Sequence, residues 1–223
     1  MTTPIAAPTC PPIPTRDNVT ALLCRNKAWA ARTALEYPCL FPELEAGQDP
    51  KTLWIGCSDS RCPETTLLEL QPGDVFVHRN IANILHETDL NSSTVIKYAI
   101  DHLHVKHVVV CGHTHCGGVA AALSDEPVTL PWLLPLQQLY RDNIAELEKL
   151  PAEKGARRLV ELNVLAGVNT LKQTDVVLEA MQKSLKVYGL VYDVGSGILH
   201  ELVTNNDTLI KRQFTSKSFE MDC

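Results

Sequence analysis

The sequence predicts an α/β fold: a largely parallel central sheet with one antiparallel edge strand, flanked by helices. Three observations predict it. Short apolar runs at 53–56, 75–78 and 107–111 alternate with segments whose apolar residues recur at helical spacing. Two later runs, 189–194 and 198–203, are joined by Gly195-Ser196-Gly197, a tight turn that returns the second beside the first. Chemistry-bearing residues also gather just after two of the runs, where an open α/β sheet collects its ligands.

Taken in order, residues 17–36 read as a helix that Asp17 or Asn18 can cap, with Val19, Leu22, Leu23, Trp29 and Ala30 as its apolar stripe. Pro38 and Pro42 are expected to end it, and the stripe must be buried on this chain or on a partner. Gly47 to Pro50 form a turn into the first strand, Leu53 to Gly56. Pro63 starts a short helix that includes Thr65 to Leu70, and Gln71 to Asp74 turn into the second strand, Val75 to His78. Residues 80–93 read as loop. Ser92 or Ser93 can then cap a helix bearing Val95, Ile96, Ala99, Ile100 and Leu103. The third strand spans 107–111, and Gly117-Gly118 open a helix through Leu123. Pro127 to Pro135 connect to three amphipathic helices near 132–149, 156–172 and 175–186, the last capped by Thr174.

Composition bounds the function. A chain of 223 residues with 45% hydrophobic and 21% charged residues is long enough for one substantial core. We read residues 1–15 as a flexible tail and 16–223 as a single domain. A net charge of −6 argues against a nucleic-acid footprint or a basic membrane anchor. No apolar run reaches bilayer-spanning length, and Met1 to Pro14 show neither a secretory nor a transit pattern, which predicts a cytoplasmic protein. The eight cysteines are therefore not read as a disulfide framework. Cys24, Cys39 and Cys111 read as small buried hydrophobes.

Cys57 and Cys116 differ, because each stands after a strand beside polar partners. Cys57-Ser58-Asp59-Ser60-Arg61 follows the first strand and His113-Thr114-His115-Cys116-Gly117-Gly118 follows the third. Two thiolates and an imidazole at one point form a zinc-type set, and three protein ligands leave a fourth position for water or substrate. The spacing of Cys57 and Arg61 does not suit a phosphatase loop, and no dinucleotide or Walker-type loop occurs. Asp59 and Arg61 lie two residues apart, so they can form a bidentate ion pair. Beside a metal, Arg61 would hold Asp59 off the ion and leave its carboxylate to orient bound water or hydroxide; with the pair broken, Asp59 could itself become a conditional fourth ligand.

These motifs, C-x-D-x-R with H-x-x-C-G-G, resemble those of the β-class carbonic anhydrases, and the resemblance runs from about Asn18 to Leu209. It implies one Zn²⁺ per chain on Cys57, His113 and Cys116, with Asp59 and Arg61 as the catalytic dyad. The implied reaction is reversible hydration of CO₂ to bicarbonate and a proton by attack of zinc-bound hydroxide. It also implies a homo-oligomer, a dimer or dimer of dimers, with the N-terminal helix packing on a partner subunit. Gln48, Phe76, Ile81 and Tyr98, with Gly117 and Gly118, match the substrate pocket, partly across a dimer interface. Trp54, Arg79 and Tyr192 match a regulatory bicarbonate site of some members, and Cys62 departs from the small apolar residue frequent after the dyad arginine. The alternatives are a hydrolase of carbonyl sulfide or carbon disulfide on the same site, and a silent zinc or bicarbonate binder.

Overall fold

The computed structural model describes residues 19–86, 88–124 and 129–202. The expected tail at 1–15, the caps Asp17 and Asn18, and Val203 lie outside them. The chain divides into two compact units, one ending at Gly47 and the other beginning at Gln48.

The first unit contains α1 (Val19–Glu36) and α2 (Leu40–Ala46). Of α1 only Thr33 is buried, and Val19, Leu22, Leu23 and Leu35 are exposed. Trp29 meets Phe41 edge-on at 5.7 Å. Pro42 does not terminate helical structure here. It lies in the first turn of α2, where an N–H would have no intrahelical acceptor. Cys24, on α1, and Cys39, just before α2, are exposed, against the expectation of burial.

The second unit is built on a five-stranded sheet of order β2-β1-β3-β4-β5. Its strands are β1 (Thr52–Cys57), β2 (Val75–Asn80), β3 (His107–His113), β4 (Lys186–Asp193) and β5 (Ile198–Leu202). The first four are parallel; β5 returns antiparallel on β4 through the expected turn, closed by Gly197 N–H donating to the Asp193 carbonyl. β2 leaves β1 on one side and β3 lies on the other. The strand order therefore reverses between β1 and β3, which opens a crevice at their carboxyl ends.

Seven helices complete the described part: α3 (Glu64–Leu67), α4 (Leu90–Asp101), α5 (Gly117–Leu123), α6 (Leu134–Asp142), α7 (Ile144–Leu147), α8 (Ala152–Lys172) and α9 (Asp175–Gln182). Asp89, not Ser92 or Ser93, caps α4: its carboxylate accepts from the amides of Asn91 and Ser92. The helix expected at 132–149 is split at Asn143, whose side chain donates to the Leu139 carbonyl. Thr174 precedes α9, but its hydroxyl turns back to the carbonyls of Thr170 and Leu171 and caps nothing.

The main core lies on the sheet face that bears Leu53, Ile55, Val108 and Val110, under α8. Leu159, Val164, Val168 and Leu171 of α8 are fully buried there, each contributing roughly 1.5–3 kcal/mol. The other face carries a smaller cluster of Trp54, Val109, Cys111 and Tyr192, with Cys62 packed against it.

Candidate metal centre and active site

β1 ends at Cys57 and β3 ends at His113, so the crevice between these neighbours receives both side chains from rigid elements. Cys116 arrives through a short turn in which His115 adopts φ 56°, left-handed backbone that aims its own side chain at solvent. β4 fixes that turn. Thr114 N–H donates to the Tyr192 carbonyl at 2.9 Å, and Thr114 Oγ1 accepts from the Val194 amide at 3.0 Å and donates to Asp193.

The result is a buried triplet: Cys57, His113 and Cys116, with one ligand atom from each within 4.8 Å of the others. His113 Nδ1 donates to the Thr114 carbonyl at 2.9 Å, since a carbonyl can only accept. In the neutral ring this makes Nε2 the lone-pair nitrogen, and it is buried and without a hydrogen-bond partner. An orphaned imidazole nitrogen beside two thiols is the donor set of a thiolate-rich zinc site, so the residues fit that ion.

The electrostatics of the triplet agree. The hydrogen bond from Cys116 pulls the Cys57 thiol down to about 4, with His113 and the Ala82 amide helping. Cys116, which gives that bond, is pushed up. Burial would lower His113, but the sulfurs of Cys57 and Cys62 beside its ring outweigh this and raise it to about 10. These directions favour a proton on His113 and on Cys116 when no ion is bound, and a divalent cation would replace both.

Asp59 stands at the rim, Oδ2 3.8 Å from His113 Nε2. Arg61 grips it through Nε to Oδ1 at 2.9 Å and Nη2 to Oδ2 at 2.6 Å, while the Arg61 amide donates to Oδ1. This is the bidentate pair expected from the spacing. The hydrogen bonds from Arg61 hold the Asp59 carboxyl well below the usual carboxylate range. Arg61 Nη2 also donates to the His115 carbonyl at 3.0 Å, tying the β1 loop to the β3 loop.

Supports not evident in the sequence complete the wall. Ala82 (φ 60°) and Asn83 (φ 47°) form a strained 3-10 turn whose Ala82 amide donates to Cys57 Sγ at 3.3 Å. Asn163 of α8 secures the turn by donating to the Ala82 carbonyl at 2.8 Å. Its only trace in the sequence is an amide on an otherwise apolar helix face. Gly118 allows the close approach, because a Cβ there would stand 2.8 Å from the Ala82 Cβ. Cys62 also proves close enough to His113 to help raise its pKa.

The expected pocket residues divide. Ile81, Gly117 and Gly118 adjoin the triplet, and a Cβ on Gly118 would come within 3.5 Å of Ile81. A cavity of about 350 Å³ opens beside Ile81 and Ser58, lined also by His78, Arg79, Asn80, Asp89, Asn91 and Trp132. Phe76 and Tyr98 stack on each other at 5.7 Å, but Phe76 pairs with Leu53, about 13 Å along the strands from Cys57. Gln48 is exposed and precedes β1 at the end opposite Cys57. Trp54 and Tyr192 are buried in the smaller cluster, and Arg79 shares that face, paired in register with Gly56.

Comparisons with known proteins agree with this arrangement. A family model described as carbonic anhydrase matches residues 52–199. The chain belongs to the β-class carbonic anhydrases, a family of carbonate dehydratases. It is 44% identical over 183 residues to a carbonic anhydrase of Emericella nidulans, covering 79% of this chain and 80% of that one. A carbonic anhydrase of Saccharomyces cerevisiae is 36% identical, with 84% and 90% covered. Among solved structures, the β-carbonic anhydrase CafA of Aspergillus fumigatus superposes with TM-score 0.82 at 57% identity, covering 84% of this chain and 91% of CafA. One of two tetrameric β-carbonic anhydrases from Sordaria macrospora gives TM-score 0.81 at 47% identity, covering 83% and 96%.

Proposed function

We propose that this chain catalyses the zinc-dependent reversible hydration of CO₂ to bicarbonate and a proton. The observation that carries the reading is the buried Cys57–His113–Cys116 triplet with a clamped carboxylate, Asp59, at its rim. Zinc bound there supplies the Lewis acidity that makes water a nucleophile near neutral pH. The chain's own residues do the rest. Cys57, Cys116 and His113 Nε2 are the ligands, and the Thr114 carbonyl fixes the His113 tautomer. Asp59, held ionised by Arg61, is an acceptor only, so it orients the attacking water by accepting from its O–H. Arg61 keeps that carboxylate from becoming the conditional fourth ligand. Ile81, close against Gly118, offers CO₂ an apolar side chain beside the triplet.

The working unit in this reading is a homo-oligomer, a dimer or dimer of dimers. Two observations support it: α1 exposes Val19, Leu22, Leu23 and Leu35, and Gln48, Phe76 and Tyr98 lie away from the triplet of their own chain, where a partner's triplet could use them. Six free thiols among the described residues are in keeping with a cytoplasmic protein. A regulatory bicarbonate on Trp54, Arg79 and Tyr192 would meet a guanidinium that already donates to the carbonyls of Cys57 and Asp59.

The test is stopped-flow CO₂ hydration across pH on protein of verified zinc content, beside Cys57→Ser. Rapid hydration that follows zinc and disappears in the variant is expected. Stoichiometric zinc without hydration at any pH would sink the proposal. A steep, cooperative rise with pH would indicate Asp59 switching onto the metal, and a single-proton curve a permanently open site.

A further inference from the structure

We infer that Arg79 is a positioning residue that holds the main chain of Asp59, with Glu64 as its buried anchor. The inference rests on the carbonic anhydrase reading for its kinetic consequence and on geometry for its existence. Arg79 Nε donates to the Cys57 carbonyl at 2.8 Å, and Nη2 donates to the Asp59 carbonyl at 2.6 Å. One planar guanidinium therefore bridges Ser58, with a ligand residue on one side and the dyad acid on the other. Its remaining nitrogen, Nη1, lies 3.9 Å from Glu64 Oε2. Glu64 is 7% exposed and that oxygen makes no hydrogen bond, so the nearby guanidinium is what answers its charge.

The clamp has work to do because the ladder ends at Cys57. Beyond it, one further main-chain bond to β2 is made among the described residues, Ser58 N–H to the Asn80 carbonyl at 2.8 Å. The Asp59 carbonyl accepts from Arg79 and also from the Cys62 amide, which fixes the turn that presents the carboxylate. Asp59 is thus held from two sides: Arg61 sets its carboxylate and Arg79 sets its backbone. With Oδ2 only 3.8 Å from His113 Nε2, a small relaxation of the turn would carry the carboxylate into the ligand cluster or out of reach of water. Lysine cannot replace this fork, since one ammonium does not span two carbonyls in a fixed plane.

The test compares zinc-loaded full-length wild type with Arg79→Gln, Arg79→Lys and Glu64→Gln. Both Arg79 variants should keep stoichiometric zinc yet lose roughly 100-fold in kcat/KM, the scale of an ångström's misplacement. Their rate midpoint should move to higher pH, because a looser turn lets Asp59 compete for the ligand cluster. Amide exchange at residues 58–62 should rise by about tenfold or more, as loss of a hydrogen bond to a charged donor requires, while β3 stays protected. Glu64→Gln should show a smaller change of the same kind. An Arg79→Lys protein with wild-type rate and exchange would overturn the inference. So would zinc lost in proportion to activity, which would make Arg79 merely structural. If wild type fails to hydrate CO₂, the functional reading falls, while the exchange data still decide the clamp.

Discussion

Metal loading should be a two-proton event, and its pH dependence can be worked from the triplet. Between about pH 4 and 10 the metal-free cluster has Cys57 as thiolate, His113 as imidazolium and Cys116 as thiol. Zinc needs two thiolates and a neutral imidazole, so binding releases the protons of His113 and Cys116. Two protons per ion mean that the association constant rises about 100-fold per pH unit, roughly 2.7 kcal/mol. The stability of the metal-free protein follows a different course. Cys57 is lowered from 9.0, so it adds stability as pH rises from about 4. His113 is raised from 6.5, so its contribution is full below 6.5 and is lost as pH climbs to about 10. The two slopes cancel between 6.5 and 9, and stability should be flat there while zinc affinity climbs steeply. Calorimetric titration in buffers of different ionisation enthalpy counts the protons, and thermal melts of chelator-treated protein trace the plateau. A count near zero at pH 7 would refute the thiolate–imidazolium assignment.

Two further outcomes follow from local geometry. A Cβ on Gly112 would stand 2.7 Å from Val164 Cγ2 and 3.0 Å from Val160 Cγ1. Gly112→Ala should therefore cost about 1–3 kcal/mol by overpacking β3 against α8, lowering Tm by roughly 2–12 °C. Adding Val164→Ala should recover part of that loss, and melts of the single and double variants check the coupling. Asp59→Asn should abolish the ordering of the attacking water, read as a fall in kcat with zinc retained. Because Arg61 lowers the folded-state pKa of Asp59, the wild type's stability advantage over this variant is present above about pH 4 and shrinks as acid titrates the carboxylate; denaturant melts at pH 7 and near pH 3 measure the difference.

The elements that were legible in the sequence are those whose determinants are local. β1, β3 and α5 could be read because apolar runs and a Gly-Gly start need no tertiary information, and their ends carry the ligands. The dyad was legible because Asp59 and Arg61 pair across one intervening residue. Pro42 misleads because proline breaks a helix only beyond its first turn, and the contact of Phe41 with Trp29 at the start of α2 is one that no spacing rule sees. Asp89 displaced Ser92 as the cap of α4 because its carboxylate reaches two amides at once, whereas the hydroxyl of Ser92 bonds to the Asp89 carbonyl.

What stayed hidden is the support behind the motifs. The motif residues are 56 positions apart at Cys57 and His113, and nothing in that separation indicates which groups hold the two loops at a working distance. Three side chains do so through four long-range bonds: Arg61 to the His115 carbonyl, Asn163 to the Ala82 carbonyl, and Arg79 to the carbonyls of Cys57 and Asp59. Each has a side chain donating to a main-chain carbonyl. The acceptor is therefore independent of residue type, and the sequence carries only half of the pair. This also separates the two arginines. Arg61 could be assigned a partner from sequence because that partner is a side chain, Asp59, two residues away. Arg79 could be matched only to an anion, since its actual acceptors, backbone oxygens, carry no signature. Arg79 commits Nε and one hydrogen of Nη2 to carbonyls at 2.8 and 2.6 Å, so an anion meeting its other N–H groups would share the guanidinium that holds Asp59. An anion drawn to Arg79 beside Trp54 and Tyr192 would thus reach the dyad through the main chain of Asp59.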